Sequence, residues 1–138
     1  MDGLAPDMEL VLETVPRPKD ANPDGDISGG WVMAQCDLAG SMMTARLARA
    51  PVATVSASGF VFRQPVRVGD VLSFYARAER ARGIFIAATI LVLTERVHAQ
   101  EPYGKVTQAN FIYEVVGAEG LACSTPRPAC PPVSNRCS

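Results

Sequence analysis

A single histidine, a single tryptophan and two lysines stand among 138 residues, and no two cysteines form a CxxC pair. Each shortage removes an option. A Ser-His-Asp or Cys-His nucleophile would have to use His98, which lies in the loop-like stretch HAQEPYG beside no obvious serine or cysteine partner. A solvated loop histidine is the plainer reading. Cys123, Cys130 and Cys137 recur every seven residues in a Pro-rich tail, a spacing that matches no zinc-ligand pattern. With Cys36 they are expected to be free thiols, and no metal is expected. The densest apolar stretch, IFIAATILVL, is ten residues long, about half of what a bilayer-spanning helix needs. The N-terminal MDGLAPDMEL has no basic patch followed by an apolar run, so no secretory signal is expected and the cytoplasm is the expected compartment. A net charge of −1 offers no electrostatic ground for nucleic acid or an anionic membrane as partner. The scarcity of lysine leaves eleven arginines beside Lys19 and Lys105. That suits local recognition of phosphate or carboxylate more than a general basic coat.

What is present fits one globular domain with a core of its own: 48 % of residues are hydrophobic and 20 % charged. MELVLETV (residues 8–15) has strand character and ends at the prolines at 16 and 18. Residues 17–28 are a polar loop. From Gly29 or Gly30 to Arg49 no proline interrupts a stretch rich in Ala, Met and Leu, which predicts a long helix stopped by Pro51. VATVSASGFVF (residues 52–62) reads as a strand with a bulge or close backbone approach at Gly59. The next strand alternates Leu72, Phe74, Ala76 and Ala78 against Ser73, Tyr75, Arg77 and Glu79. After a turn near Gly83, IFIAATILVLTERV is apolar on both faces and is expected to be covered on both. KVTQANFIYEVV is the last strand. Residues 1–117 are expected to form the domain, and 118–138 a mobile tail rich in Pro, Ser and Cys. Short connections between consecutive strands favour antiparallel pairing, so the simplest packing is an α+β arrangement with one five-stranded antiparallel sheet wrapped around the helix.

Asp37 is out of place in that helix. Burying a carboxylate costs several kcal/mol unless it is paired or hydrogen-bonded. At about 100° per residue, Gln35 and Arg46 share one side of the helix. Asp37 falls with Gly30, Met33, Ser41 and Thr44, about 140–200° away. A surface helix needs only one polar face. A structural acid that caps a neighbour or pairs with an arginine is one account of the second stripe. The other is a site. Gly29-Gly30 at the helix start leaves unpaired N–H groups and the positive dipole end open to an oxyanion, with no Cβ to block a ligand. An acid two turns further on makes a workable hydrolytic pair, one group activating water and the other polarising a carbonyl.

The segment NPDGDISGGWVMAQCDLAG (residues 22–40) resembles the N-P-x-G-x-x-x-G-G-W-x-M-x-x-x-D stretch of the hotdog-fold acyl-CoA thioesterases, the YciA-like branch in particular. PVRVGDVLSFYA and TQANFIYEVV resemble that family's strands in the same order, so the likeness runs from about Met8 to Gly117. It implies a hotdog fold, homodimers joined into a continuous sheet and often a trimer of dimers. It also implies an acyl-CoA substrate and no cofactor beyond the coenzyme A of the substrate. In the family the acid at the position of Asp37 activates water, or less commonly attacks as a nucleophile through an anhydride. The asparagine at the position of Asn22 helps hold substrate carbonyl or water in a site shared between two protomers, and glycine N–H at Gly29 or Gly30 polarises the thioester.

Thr54, Ser58 and Phe60 of the following strand are placed to line the pocket beside the helix. Two departures concern binding. Ser58 stands where the family often has aspartate, and RARGIFI stands where small hydroxyl residues are common. Arg80 and Arg82 in that hairpin are candidate partners for the phosphates of coenzyme A, against the alternative of solvated turn arginines. Cys36 points about 100° away from Asp37 on a helix and reads as core. Trp31, Met42 and Met43 read as core or acyl-tunnel lining. A non-catalytic acyl-CoA binding or sensing module on the same fold is the competing function, and a purely structural dimer a third.

Overall fold

The computed structural model describes residues 7–96 and 103–116. His98, Cys123, Cys130, Cys137 and the proposed 118–138 tail lie outside them. The chain runs β1 (Glu9–Thr14), a short 3-10 turn (Pro18–Asp20), β2 (Asp26–Ile27), α1 (Gly29–Ala48), β3 (Val52–Ser58), β4 (Val66–Arg67), β5 (Val71–Arg82), β6 (Phe85–Glu95) and β7 (Tyr103–Val115). Five strands form one antiparallel sheet in the order β1-β5-β6-β7-β3, while β2 and β4 pair separately. Each of the five strands touches α1. Five strands spaced about 4.8 Å apart span about 19 Å, nearly twice the width of a helix, about 10 Å. Contact with both edge strands therefore requires the sheet to curl around α1, the arrangement expected from the sequence.

The helix starts where Ser28 Oγ accepts the Trp31 N–H at 3.2 Å, relieving one of the four unpaired donors of a helix N-terminus. It ends at Arg49, whose φ of 56° puts it in the left-handed region, a conformation that costs a non-glycine residue about 1–2 kcal/mol. Pro51 explains why the chain accepts it. The proline has no N–H to continue the ladder and disfavours helical geometry at Ala50. Val32, Cys36 and Ala39 of α1 pack on Phe74 and Ala76 of β5, Ile90 and Val92 of β6, and Ala109, Phe111 and Tyr113 of β7. The alternation along β5 behaves as read, with Leu72, Phe74 and Ala76 fully buried. In β6 the run Ile90 to Thr94 is buried, as expected for a strand apolar on both faces. From Phe85 to Thr89 one face is exposed or half-buried, so two-sided coverage stops short of the hairpin end.

The strand after the helix is shorter than the expected 52–62. Gly59 has a φ of 85°, which takes the chain out of the sheet, so β3 stops at Ser58 and Phe60 lies beyond the strand rather than on it. β3 pairs with β7 through a bulge between Thr54 and Ser56. Its other edge has no partner among the described residues, and six of its seven residues are exposed. Unprotected strand edges of this kind invite pairing with another chain.

The entry to β5 is clamped by Asp70. This carboxylate is 5 % exposed and accepts the Arg67 N–H at 2.9 Å. It also accepts Arg96 Nε–H at 3.2 and 3.1 Å on its two oxygens. Arg96 Nη2 donates in turn to the Pro65 carbonyl, so one ion pair ties the loop before β4 to the end of β6. Asp70→Asn should lower unfolding free energy by about 2–3 kcal/mol, less than the about 3–5 of a fully buried pair because Arg96 retains water. A urea melt checks this: an unmoved midpoint would show that the clamp is dispensable.

Candidate active site

Asp37 occupies the middle of α1, half-buried on the side that faces β3 and β7. Its Oδ1 accepts a hydrogen bond from the Thr54 hydroxyl at 2.7 Å and another from the Tyr113 hydroxyl at 3.1 Å. Thr54 and Tyr113 are cross-strand partners on β3 and β7, and the bulge after Thr54 locally re-aims the strand. No cation lies within ion-pair distance of Asp37 among the described residues. The acid is thus held by two neutral hydroxyls, and the structural alternative of an arginine partner is not what the fold supplies. Of the other polar residues expected on this stripe, Ser41 and Thr44 donate to their own helix, to the Leu38 and Gly40 carbonyls at 2.9 Å each. Asp37 is the member of the stripe that reaches outward.

At the N-terminus of α1 the Gly29 and Gly30 N–H groups have no partner among the described residues, as first-turn donors reach no intrahelical carbonyl, while Ser28 accepts those of Trp31 and Val32. Gly29 packs under the Phe62 ring, where a Cβ would lie 3.0 Å from a ring carbon. A Cβ on Gly30 would meet only the Ser28 hydroxyl, at an ordinary 3.9 Å. Phe62 stacks on Phe60 at 5.9 Å, Phe60 meets Phe111 edge-on at 5.8 Å, and Phe111 stacks on Tyr113 at 5.8 Å. A row of four aromatic rings therefore runs from the glycines at the helix start to the tyrosine on Asp37.

Asn22 orders the loop that leads into the helix. Its Oδ1 accepts the N–H groups of Asp24 and Asp26 at 3.0 Å each, and its own N–H donates to the Asp26 carbonyl at 2.8 Å. Within the chain it makes no contact with Asp37 among these bonds, and its amide NH₂ is exposed and unengaged among the described residues. Ser58 is exposed opposite Asn110, without a bond to Asp37. Arg80 and Arg82 are exposed near the tip of the β5–β6 hairpin and make no ion pair among the described residues. Cys36 is fully buried. Burial first, and the adjacent Asp37 charge second, push its thiol up to about 12, which removes it as a nucleophile at neutral pH. Trp31 and Met43 pack partly buried against the core.

Two further residues belong to the candidate site. In sequence, Tyr113 is one more residue of an apolar strand. Gly40 carries a weak signal, since a glycine inside a helix costs about 1 kcal/mol relative to alanine and so marks a place where something comes close. That something is Tyr113: a Cβ on Gly40 would overlap its hydroxyl. Thr54 was expected to line the pocket, and its bond to the acid is closer than that expectation.

Residues 24–100 match the thioesterase superfamily. The chain belongs to it. This thioesterase-superfamily chain is similar to the acyl-CoA thioester hydrolase YciA of Salmonella typhimurium, 42 % identical over 126 residues that cover 89 % of this chain and 91 % of the relative. Its structure is similar to that of a hexameric thioesterase from Yersinia pestis. There the TM-score is 0.78 and the identity 37 %, with 89 % of this chain and 99 % of the other covered. A hexameric hotdog fold thioesterase of Campylobacter jejuni follows with a TM-score of 0.76 and 34 % identity, covering 83 % of this chain and 87 % of the other. The helix-in-sheet architecture of the thioesterase-superfamily chain is therefore the hotdog fold. No helix among the described residues is long and apolar enough to cross a membrane.

The raised thiol of Cys36 has two measurable consequences. At pH 8 iodoacetamide should spare Cys36 in the folded protein and alkylate it after unfolding in urea, as read by peptide mass. Its contribution to stability is whole below its ordinary value of 9.0 and is lost as pH rises toward about 12. Cys36→Ala should therefore show a shallower loss of stability above pH 9 in chemical denaturation; an unchanged slope would contradict the assignment.

Proposed function

We propose that the protein hydrolyses acyl-CoA thioesters to free acid and coenzyme A without a cofactor of its own. The observation that carries this reading is the Asp37 carboxylate on α1, held by the Thr54 and Tyr113 hydroxyls and opposed by no cation among the described residues. Such an acid is fixed in place yet keeps its charge available to accept a proton. Asp37 takes a proton from water, and the water oxygen bonds to the thioester carbonyl carbon. The oxyanion formed is met by the unpaired N–H of Gly29 or Gly30 at the positive end of the helix. Collapse breaks the carbon–sulfur bond and releases the acid, and the proton held by Asp37 passes to the departing coenzyme A thiolate.

The site is shared between two protomers in this reading. Gly30 lies about 10 Å along the helix axis from Asp37, which favours a base and an oxyanion donor from different chains acting on one thioester. Asn22 points no bond at Asp37 within its own chain, and its free amide is available to a substrate held by the partner. The bare edge of β3, with Val55 51 % exposed, supports the pairing of two chains into a continuous sheet. The hexameric relatives support a trimer of such dimers. Arg80 and Arg82, free of ion pairs among the described residues, are assigned to the phosphates of coenzyme A. Ser58 and Phe60 are assigned to the wall of the acyl pocket.

Thiol release from a panel of short, long and aromatic acyl-CoAs tests the proposal. Asp37→Asn should lower kcat about 10²–10⁴-fold while the protein stays folded. Saturable acyl-CoA binding without turnover in the wild type would move the assignment to a sensing module. Asn22→Ala should also be impaired, and mixed Asn22→Ala/Asp37→Asn oligomers should regain activity if the site is shared. Failure to regain any would place both residues in one chain's site.

A further inference from the structure

Both donors to Asp37 converge on the same oxygen. Thr54 bonds Oδ1 at 2.7 Å and Tyr113 bonds it at 3.1 Å, while Oδ2 has no partner among the described residues. The Tyr113 hydroxyl also lies 3.1 Å from the backbone carbonyl oxygen of Asp37, so its one proton is shared between the side chain and main chain of a single residue. Two donors on one oxygen fix the carboxylate's rotation and leave the other oxygen as the free acceptor. We propose that Tyr113, admitted by the missing side chain of Gly40, is the positioning residue that aims Asp37 Oδ2 at the attacking water. This rests on the hydrolytic reading above and extends it to a residue that touches no substrate.

Gly40 supplies the second, independent observation. It is buried in the interior of α1, where alanine would be the better helix former. A Cβ at Gly40 would overlap the Tyr113 hydroxyl and crowd the ring carbons beside it at 3.0 and 3.1 Å. The helix therefore gives up propensity at the one turn where the phenol must pass to reach Asp37. The ring is fully buried and stacked on Phe111 at 5.8 Å, so its own position is set by the core. Burial, then the charge of Asp37 and the bond to it, hold the phenol proton well above its ordinary value. Tyr113 thus remains a donor throughout the range in which the site would work.

A double-mutant cycle in the full-length protein tests this, with kcat, KM and Tm measured for Tyr113→Phe, Gly40→Ala and the pair, beside Asp37→Asn. Tyr113→Phe keeps the ring and removes the donor. Its kcat should fall about 10- to 100-fold, as expected for loss of a hydrogen bond to a charged group, with KM changed less than about twofold. Gly40→Ala should lower kcat by displacing the same oxygen, and it should cost much less once Tyr113 is already Phe. If Tyr113→Phe does not fold, Gly40→Ala reads the same displacement with the phenol still present. A merely structural tyrosine would lower Tm and leave kcat unmoved, which would overturn the proposal. So would penalties for the two single variants that multiply in the pair. Those outcomes with Asp37→Asn inactive sink the role of Tyr113 alone. Full turnover in Asp37→Asn sinks the hydrolytic reading, and the role of Tyr113 with it.

Discussion

A carboxylate on the sheet-covered side of a helix can remain there only if the sheet satisfies it, and the hydroxyls of Thr54 and Tyr113 do so for Asp37. Much of the surrounding architecture follows from that requirement. The two hydroxyls must come from adjacent strands, and β3 pairs with β7 so that Thr54 and Tyr113 face one another. β3 must bend there, and it does so through the bulge that follows Thr54. The phenol must pass the helix backbone, and Gly40 leaves the room. Its ring must not shift, and the stack on Phe111 holds it.

Asp70 and Asp37 are held in opposite ways. Asp70 is buried to 5 % and its charge is matched by Arg96, with a backbone N–H completing the shell. That arrangement spends the carboxylate on structure, tying a loop to the end of β6. Asp37 receives only neutral donors, so its position is fixed while its charge is not cancelled. A cation in place of Thr54 or Tyr113 would have held the side chain equally well and made it a poorer base.

The apolar side of the fold is unevenly finished. The first half of β5 and the second half of β6 are largely buried, whereas β3 carries exposed residues along nearly its whole length and an edge unpaired among the described residues. Leu38 and Leu47 of α1 are 47 % and 41 % exposed. Part of that incomplete surface adjoins Asp37, since β3 is the strand that supplies Thr54. The region left uncovered by one chain and the region that holds the acid are thus neighbours. That adjacency is the geometric basis of the proposal that two chains share the site.

The local chemistry of the chain marked the long helix and the five strands of the main sheet, while the short turn at Pro18–Asp20 and the two-residue strands β2 and β4 lie where it indicated only loop and connection. Prolines at 16, 18 and 51 bounded the first strand and the helix, the period of two from Leu72 marked β5, and the two-faced apolar run marked β6, whose second half is covered. The anomaly of Asp37 was legible too, because an acid on a second polar stripe conflicts with the helix period. Two outcomes needed tertiary structure. β3 ended at Ser58 instead of Phe62 because Gly59 took a positive φ that many strand glycines do not take. Tyr113 became the partner of Asp37, 76 residues away in the chain. Nothing in the alternation of β7 distinguishes that tyrosine from its neighbours. Only the packing of β7 beneath one turn of the helix, at the glycine that lets it approach, decides which hydroxyl meets the acid.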